Sequence, residues 1–343
     1  MNITRVGVDI AKSVFHVHAV DRHDQTQWQA KLRRCQWLGA LSKRVPPGAE
    51  IGMEACASAH HWARELHKRG YRVKLIAAQF VKPYVKSNKN DVVDAEAICE
   101  AMSRPGMRFV AVKTVAQQDT QAAHRIREGL VGQRTAKANQ IRGLVGEYGI
   151  VTPVGIQKLR QALPQWLEDA QNGLTDDFRT LLAGLADDLR YLDNRVEHLS
   201  EQIRQCVDKN PVARRLLELR GVGPLTASAL AGALGDGKSF GKGRDFAASL
   251  GLTPRQHSTG GKARLLGISK RGDGYLRKLL VHGSRAVIRH AKNRDDGLSQ
   301  WVNELSTRKH TNVVTVALAN KTARIAWAIV HNDMAYEPKL AAG

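Results

Sequence analysis

The sequence predicts an α/β domain of three layers at its N-terminal end and a mainly helical half after it. Three observations carry that reading. Between Ile3 and Thr114 short runs alternate apolar and polar residues, first strand after strand and then strand and helix in turn. Beyond Val115 the apolar period lengthens to that of helices, and from Leu182 to Ile203 it keeps three- and four-residue steps without a break. Further on, a Gly-x-Gly turn separates two helical runs in LRGVGPLTASALAGAL, Leu219 to Leu234.

In order along the chain, RVGVD, VFHVHAV and QWQAKL read as three consecutive strands. AEIGMEA and YRVKLIAA read as two more, with a helix from about Ser58 to Arg69 between them. Asp91 to Ser103 is helical, and RFVAVKT reads as a late strand. A long polar and basic helix follows from Val115 to about Tyr148. Leu182, Leu185, Leu189, Leu192, Val196, Leu199 and Ile203 then form an a/d seam, which predicts a coiled coil, either between chains or as a helical hairpin. A second globular region begins after Pro211 and runs to about Asn312, and a helix around VVTVALANKTARIAWAIV closes the chain. The expected division is therefore 1–114, 115–210, 211–312 and 313–343.

Charge narrows the function. Fifty-three Lys and Arg stand against 32 Asp and Glu, a formal balance of +21 over 343 residues. Spread through a chain that is 43% hydrophobic, that excess points to a polyanionic partner rather than to a disordered cationic tail. No run of 18 or more apolar residues is present, so nucleic acid is favoured over a membrane. The N-terminal stretch reads as strands rather than a secretory leader, which places the protein in the cytoplasm. Cys35, Cys56, Cys99 and Cys206 are scattered without a CxxC pair, so neither zinc nor a disulfide framework is expected, and the adjacent His60 and His61 are given no metal role.

Four carboxylates stand out. Asp9 ends the strand in VGVDIAK and Glu54 ends the one in IGMEA, while Asp91 and Asp94 in NDVVDAEA are three apart and share a helix face. Alone, each has a plain role as turn former, cap or first-turn charge. Together they make the arrangement by which an RNase H-like domain gathers hard oxygen ligands for Mg²⁺, which would neutralise the acids and clamp a phosphodiester.

The Gly221-Val222-Gly223 turn reads as a helix-hairpin-helix whose backbone N–H groups can hold a phosphate without reading sequence. Downstream, GLTPRQHSTGGKARLLGISKRGDGYLRKLL surrounds Ser258 with Arg255, Lys262, Arg264, Lys270, Arg271, Arg277 and Lys278. These would hold an anionic backbone beside the hydroxyl. No His-Asp pair stands nearby as a base, so Ser258 is either a nucleophile served by a metal site elsewhere or a turn residue that grips phosphate. On the long helix Arg125, Arg127, Arg134, Lys137 and Arg142 are further candidates for nucleic-acid contact.

In order and over nearly the whole chain, VGVDIAK, IGMEA, NDVVDAEA, LRGVGPLTASALAGAL, FAASLGLTPRQHSTGGK and GISKRGDGYLRKLL resemble the DEDD transposases of bacterial insertion sequences. The match is to the insertion-sequence one-ten family, and PRQHSTGGKARLLGISKRGD is similar to its eleven-eleven subgroup. The resemblance implies a RuvC-like N-terminal domain with Mg²⁺ on Asp9, Glu54, Asp91 and Asp94, a coiled-coil connection, and a C-terminal transposase domain with a catalytic serine. It implies recombination of donor and target DNA through a covalent phosphoserine, guided by a structured RNA from the element's own flank. It further implies a dimer or tetramer in which acids and serine come from different subunits, acting in the bacterial cytoplasm at the nucleoid. Many relatives carry Ser-Ser-Gly or a single Ser-Gly where this chain has Ser258-Thr259-Gly260, so Ser258 is the first candidate for the nucleophile and Thr259 the second. The competing reading is a RuvC-like nuclease or junction resolvase in which the acids activate water and Ser258 only binds phosphate.

Overall fold

Alternation decides the first part of the fold. A computed structural model describes residues 2–86, 91–152 and 154–337, and the chain divides into two units, 1–114 and 115–343. In the first unit β1 (Arg5–Ile10), β2 (Val14–Val20) and β3 (Thr26–Arg33) pair antiparallel. After α1 (Trp37–Arg44), β4 (Glu50–Glu54) enters parallel to β1, and after α2 (Ala59–His67), β5 (Arg72–Ile76) lies parallel to β4. A short α3 (Ala78–Val81), α4 (Asp91–Ala101) and a two-residue β6 (Phe109–Val110) complete it, with strand order β3-β2-β1-β4-β5-β6.

The sheet is covered on both faces. Val6, Val8, Phe15, Val17, Ile51 and Met53 pack against Trp37 and Leu41 of α1 and Trp62 and Leu66 of α2. Phe15, Trp37 and Trp62 meet edge to face with ring centroids 5.0 to 5.4 Å apart, a geometry that adds about 1 kcal/mol per pair to the area buried. On the other face Ile98 and Ala101 of α4, with Met102 just after it, cluster with Ile76 and Val81. The three layers expected for this region are present. The late strand is shorter than expected: β5 offers only Leu75 and Ile76 as partners, and beyond Val110 the pattern is spent on packing Val112 against the core.

Among its described residues the second unit is helical apart from one small hairpin. α5 (Val115–Gly146), α6 (Ile156–Glu168) and α7 (Asp176–Lys209) come first, α7 opened by Thr175, whose side chain accepts from the Phe178 N–H at 3.2 Å. Leu182, Leu189, Val196 and Ile203, one row of the predicted seam, are buried, whereas Leu185, Leu192 and Leu199 are half-buried. α5 runs antiparallel along α7, so the buried row is used in a helical hairpin within one chain.

α8 (Pro211–Leu217), α9 (Pro224–Leu234), α10 (Gly243–Ser249), the strands β7 (Pro254–Gln256) and β8 (Leu265–Ile268), α11 (Gly274–Ala291), α12 (Gly297–Arg308) and α13 (Thr311–His331) follow. α13 is long and apolar enough, by length and composition, to cross a membrane, and 61% of its apolar window is buried in this unit. Its Ala319, Ala323, Ala326, Ile329 and Val330 share a core with Leu216, Leu219, Leu230, Phe246 and Leu280. Small residues along one face let neighbouring helices approach closely.

Candidate active site and nucleic-acid interface

Asp9 and Glu54 finish two neighbouring parallel strands. The register pairs Val8 with Met53, so its next step sets Asp9 beside Glu54 on a common face. Two glycines show which face. A side chain at Gly7 would strike the backbone of Ala95 and Cys99, and one at Gly52 would meet Met102 Sδ at 2.6 Å, so both strands press on α4 there. Asp9 and Glu54 stand two residues further on and face the same way. Arg5 lies against Cys99 and Gly7 reaches Ala95, so α4 runs back along β1 and brings its first turns, with Asp94, towards the strand end that carries Asp9. Asp91 opens α4, and its side chain lies outside the described residues.

Asp9 and Glu54 both lie close enough to Cys56 to act on it. Although Cys56 is exposed as a residue, burial of its sulfur pushes the thiol up, and the charges of Glu54 and then Asp9 push it further. Sequence reasoning missed His16. It stands directly across β2 from Asp9, buried at 7% exposure, on the face opposite Phe15 and Val17. The alternation of VFHVHAV was the available signal, since it puts both histidines on one side. Among the described residues no three His, Cys, Asp or Glu side chains already form a metal-ready cluster. The donor set itself suits a hard divalent cation: carboxylate oxygens on a shared face, under mutual repulsion that a cation would relieve.

Ser258 belongs to the second unit, on an arm formed by β7 and β8. Gly260 and Gly261 both have positive φ, 57° and 76°, which a tight two-residue hairpin tip requires. Residues 254 to 267 are all exposed. The arm is pinned at its base, where a side chain on Gly251 would strike the backbone of Arg271 and one on Gly272 the Ser249 carbonyl. Arg277 Nη1 closes the base by donating to the carbonyls of Leu250 at 2.8 Å and Arg271 at 3.1 Å. The Ser258 Oγ accepts from Gln256 Nε2 at 2.9 Å and from the Arg264 N–H at 3.3 Å. Gln256, two residues back on the same side of the strand, is a second residue that sequence reasoning missed.

Comparison with known proteins covers both halves. Residues 6–150 match the family model for DEDD transposases of the IS110 type, described as a transposase, and residues 213–298 match the transposase IS116/IS110/IS902 family. The chain is 49% identical over 98% of its length to the whole of a probable family 20 transposase of Pseudomonas aeruginosa. The chain belongs to the IS110 family of insertion-sequence transposases. Further relatives are the transposase for insertion sequence element IS1328 of Yersinia enterocolitica, 43% identical over 96% of this chain and 97% of that one, and the transposase for IS1111A of Coxiella burnetii, 42% identical over 98% and 92%.

Several of the cations singled out in this transposase serve the fold. On α5, Arg127 donates to Ser200 Oγ at 2.7 Å, Arg134 pairs with Asp193 at 3.3 Å and Lys137 with Asp188 at 3.0 Å, all on α7. Arg142 donates to Asn139 and to the Gly155 carbonyl, while Arg125 is exposed. Lys278 is paired with Glu128, and Arg277 is committed to the arm's base. Arg255, Lys262, Arg264, Lys270 and Arg271 are exposed, and among the described residues no carboxylate pairs with them. The helix-hairpin-helix turn is held by Arg220, which donates to both oxygens of Asp296 at 2.6 and 2.5 Å. Gly221 packs on the backbone of Gly283, and exposed Gly223 starts α9 without a side-chain cap.

Beneath the arm the IS110 transposase buries a polar network with no local sequence signal. His124 of α5, 3% exposed, shares a hydrogen bond with Tyr275 Oη at 2.9 Å through Nδ1 and with Ser228 Oγ at 3.1 Å through Nε2. Tyr275 lies in the first turn of α11, which Asp273 caps by accepting from its N–H at 2.9 Å. Burial, with the charge of Arg127 second, lowers the imidazole to about 4. Above pH 6.5 both folded and unfolded His124 are neutral; between 6.5 and about 4 the unfolded chain takes a proton that the folded one refuses, so stability falls as pH falls. The loss expected from this group is on the order of 3 kcal/mol. Native-state hydrogen exchange on α5, α9 and α11 at pH 7 and pH 4.5 checks it, and His124→Gln should flatten the difference. An undiminished pH dependence in that variant would show that His124 is not its source. His60 in the first unit is also lowered to about 4, by burial and then Lys113 and Arg64, so exchange must be read unit by unit.

Proposed function

We propose that this transposase moves its insertion sequence by cutting and rejoining DNA through a covalent intermediate on Ser258. The observation that carries the reading is the arm: a serine hydroxyl held by Gln256 and the Arg264 N–H on a fully exposed hairpin, among five cations that have no carboxylate partner among the described residues. Attack needs a free lone pair on Oγ, and the 3.3 Å bond from Arg264 is the weaker of the two that occupy them. In the step, the Oγ–P bond forms, the bond from phosphorus to the departing strand's oxygen breaks, and the proton that serine gives up to solvent is balanced by one that the departing oxygen takes, leaving a strand-end hydroxyl. The cations hold the phosphate oxygens in place.

On this reading the first unit is an RNase H-like, RuvC-like domain, supported by the β3-β2-β1-β4-β5 order and by acids at the ends of β1 and β4. Asp9, Glu54, Asp91 and Asp94 would hold Mg²⁺, which when bound supplies charge neutralisation and a clamp on the phosphodiester. Residues 115–210 form a connecting hairpin, 211–312 the transposase domain and 313–343 its closing helix and tail. The half-buried Leu192 and Leu199 support a coiled-coil contact with a second copy, as dimer or tetramer. A guide RNA from the element is the partner that reads donor and target DNA, and the bacterial cytoplasm is the place of action.

The test is denaturing capture. The full chain is expressed with its element's DNA and flanking RNA, the nucleic acid is digested, and mass spectrometry searches for a nucleotide phosphate on Ser258. An adduct on Ser258 is expected; cut DNA with none on Ser258 or Thr259 would replace this reading with a hydrolytic nuclease. Co-purifying RNA and a light-scattering mass above that of one chain are expected in the same preparation, and a bare monomer would remove those two partners.

A further inference from the structure

The basic stretch Lys238-Ser239-Phe240-Gly241-Lys242-Gly243-Arg244 has no part in the chemistry above. Its loop runs hard against α13: a side chain at Gly243 would lie 3.1 Å from both the Arg324 carbonyl oxygen and the ring of Trp327. That closeness sets Lys242 and Arg244 alongside Arg324. Between them is a groove of about 360 Å³, rimmed by Lys242, Arg244 and Arg324 over a floor of Ile325, Trp327 and Ala328. Lys321 also lines it, 8% exposed, with its ammonium 4.8 Å from the centre of the Trp301 ring. Among the described residues no carboxylate pairs with Lys242, Arg244 or Arg324.

We propose that this groove is a second contact for the backbone of duplex DNA, with phosphates on Lys242, Arg244 and Arg324 and deoxyribose on the apolar floor. The inference rests on the DNA-recombinase reading and adds to it a site apart from the serine arm. A duplex is favoured over single-stranded RNA by what the floor does not offer. Unpaired bases are held chiefly by stacking on aromatic faces. The Trp327 ring is already stacked on His331 with centroids 4.5 Å apart, and its Nε1–H is taken up by the carbonyls of Gly237 and Phe240, each at 3.1 Å. Cations above a fixed apolar floor suit a backbone and no base. α10 joins the two sites: the groove lies at its start and the arm's base at its end. Seven residues of helix span about 10 Å, or roughly three phosphates along one strand. A strand seated in the groove is thereby in step with one lying on the arm.

The experiment is a salt titration of binding by the full chain, with a mixed-sequence DNA duplex and a single-stranded RNA as probes. The variant Lys242→Ala/Arg244→Ala/Arg324→Ala removes three exposed side chains. It is expected to lower duplex affinity at least about tenfold and to reduce the slope of log affinity against log salt by roughly 2.7, about 0.9 per phosphate contact. The charge-keeping variant Lys242→Arg/Arg244→Lys/Arg324→Lys should retain the wild-type slope. An unchanged slope in the alanine variant, a loss confined to RNA, or an equal loss on removing Arg195, Arg204 and Lys209 from the flank of α7 would each overturn the groove. Failure of the wild-type chain to bind duplex at all would sink the recombinase reading itself, which separates the two.

Discussion

Ser258→Ala is expected to abolish strand joining, by on the order of 10³-fold or more, while leaving DNA affinity unchanged. The hydroxyl makes no contact that the fold depends on: its two bonds come from an exposed side chain and from the backbone of the opposite strand. Thr259→Ala should keep most of the activity. Neighbouring residues on a strand point to opposite sides, and Thr259 sits at the tip, bridged to Lys262. Strand-transfer assays on the two variants beside wild type decide the matter. If the Thr259 variant is the dead one, the nucleophile is one residue further on; if both stay active, the arm only grips phosphate.

The second large effect is expected from the acids. Asp9→Asn and Glu54→Gln should each reduce cleavage by on the order of 10³-fold and weaken Mg²⁺ binding measured by calorimetry without DNA. Chelation of divalent cations should stop the wild-type reaction in the same way. Full activity in either variant, or unchanged Mg²⁺ heats in both, would remove the carboxylates from the chemistry.

The strands of the first unit and its antiparallel start are legible in the sequence because alternation reports which face each strand buries, whereas the order of strands across the sheet is set by pairings that residue type does not carry. The late strand was read too long for the same reason. Alternation reports burial, and Val112 obtains burial without a pairing partner. Asp9 and Glu54 were found from their place at strand ends, and the Gly-Gly tip of the arm from the turn it demands. What could not be read is pairing at a distance. Arg134 meets Asp193, 59 residues away, and His124 meets Tyr275, 151 away. A cation left exposed and one aimed at its own chain are the same letter, and only folding separates Arg255 from Arg277.

The arm has one more consequence. Residues 254 to 267 touch little beyond themselves, and the glycine contacts at positions 251 and 272 fasten them to the body. A lone two-stranded hairpin is barely stable in water, so its residues owe little to the core and the core owes little to them. Insertions, deletions or a new tip can then be tried in this segment without unfolding the rest. Fold stability therefore leaves this segment free, and whatever holds its sequence must be the work done at the tip.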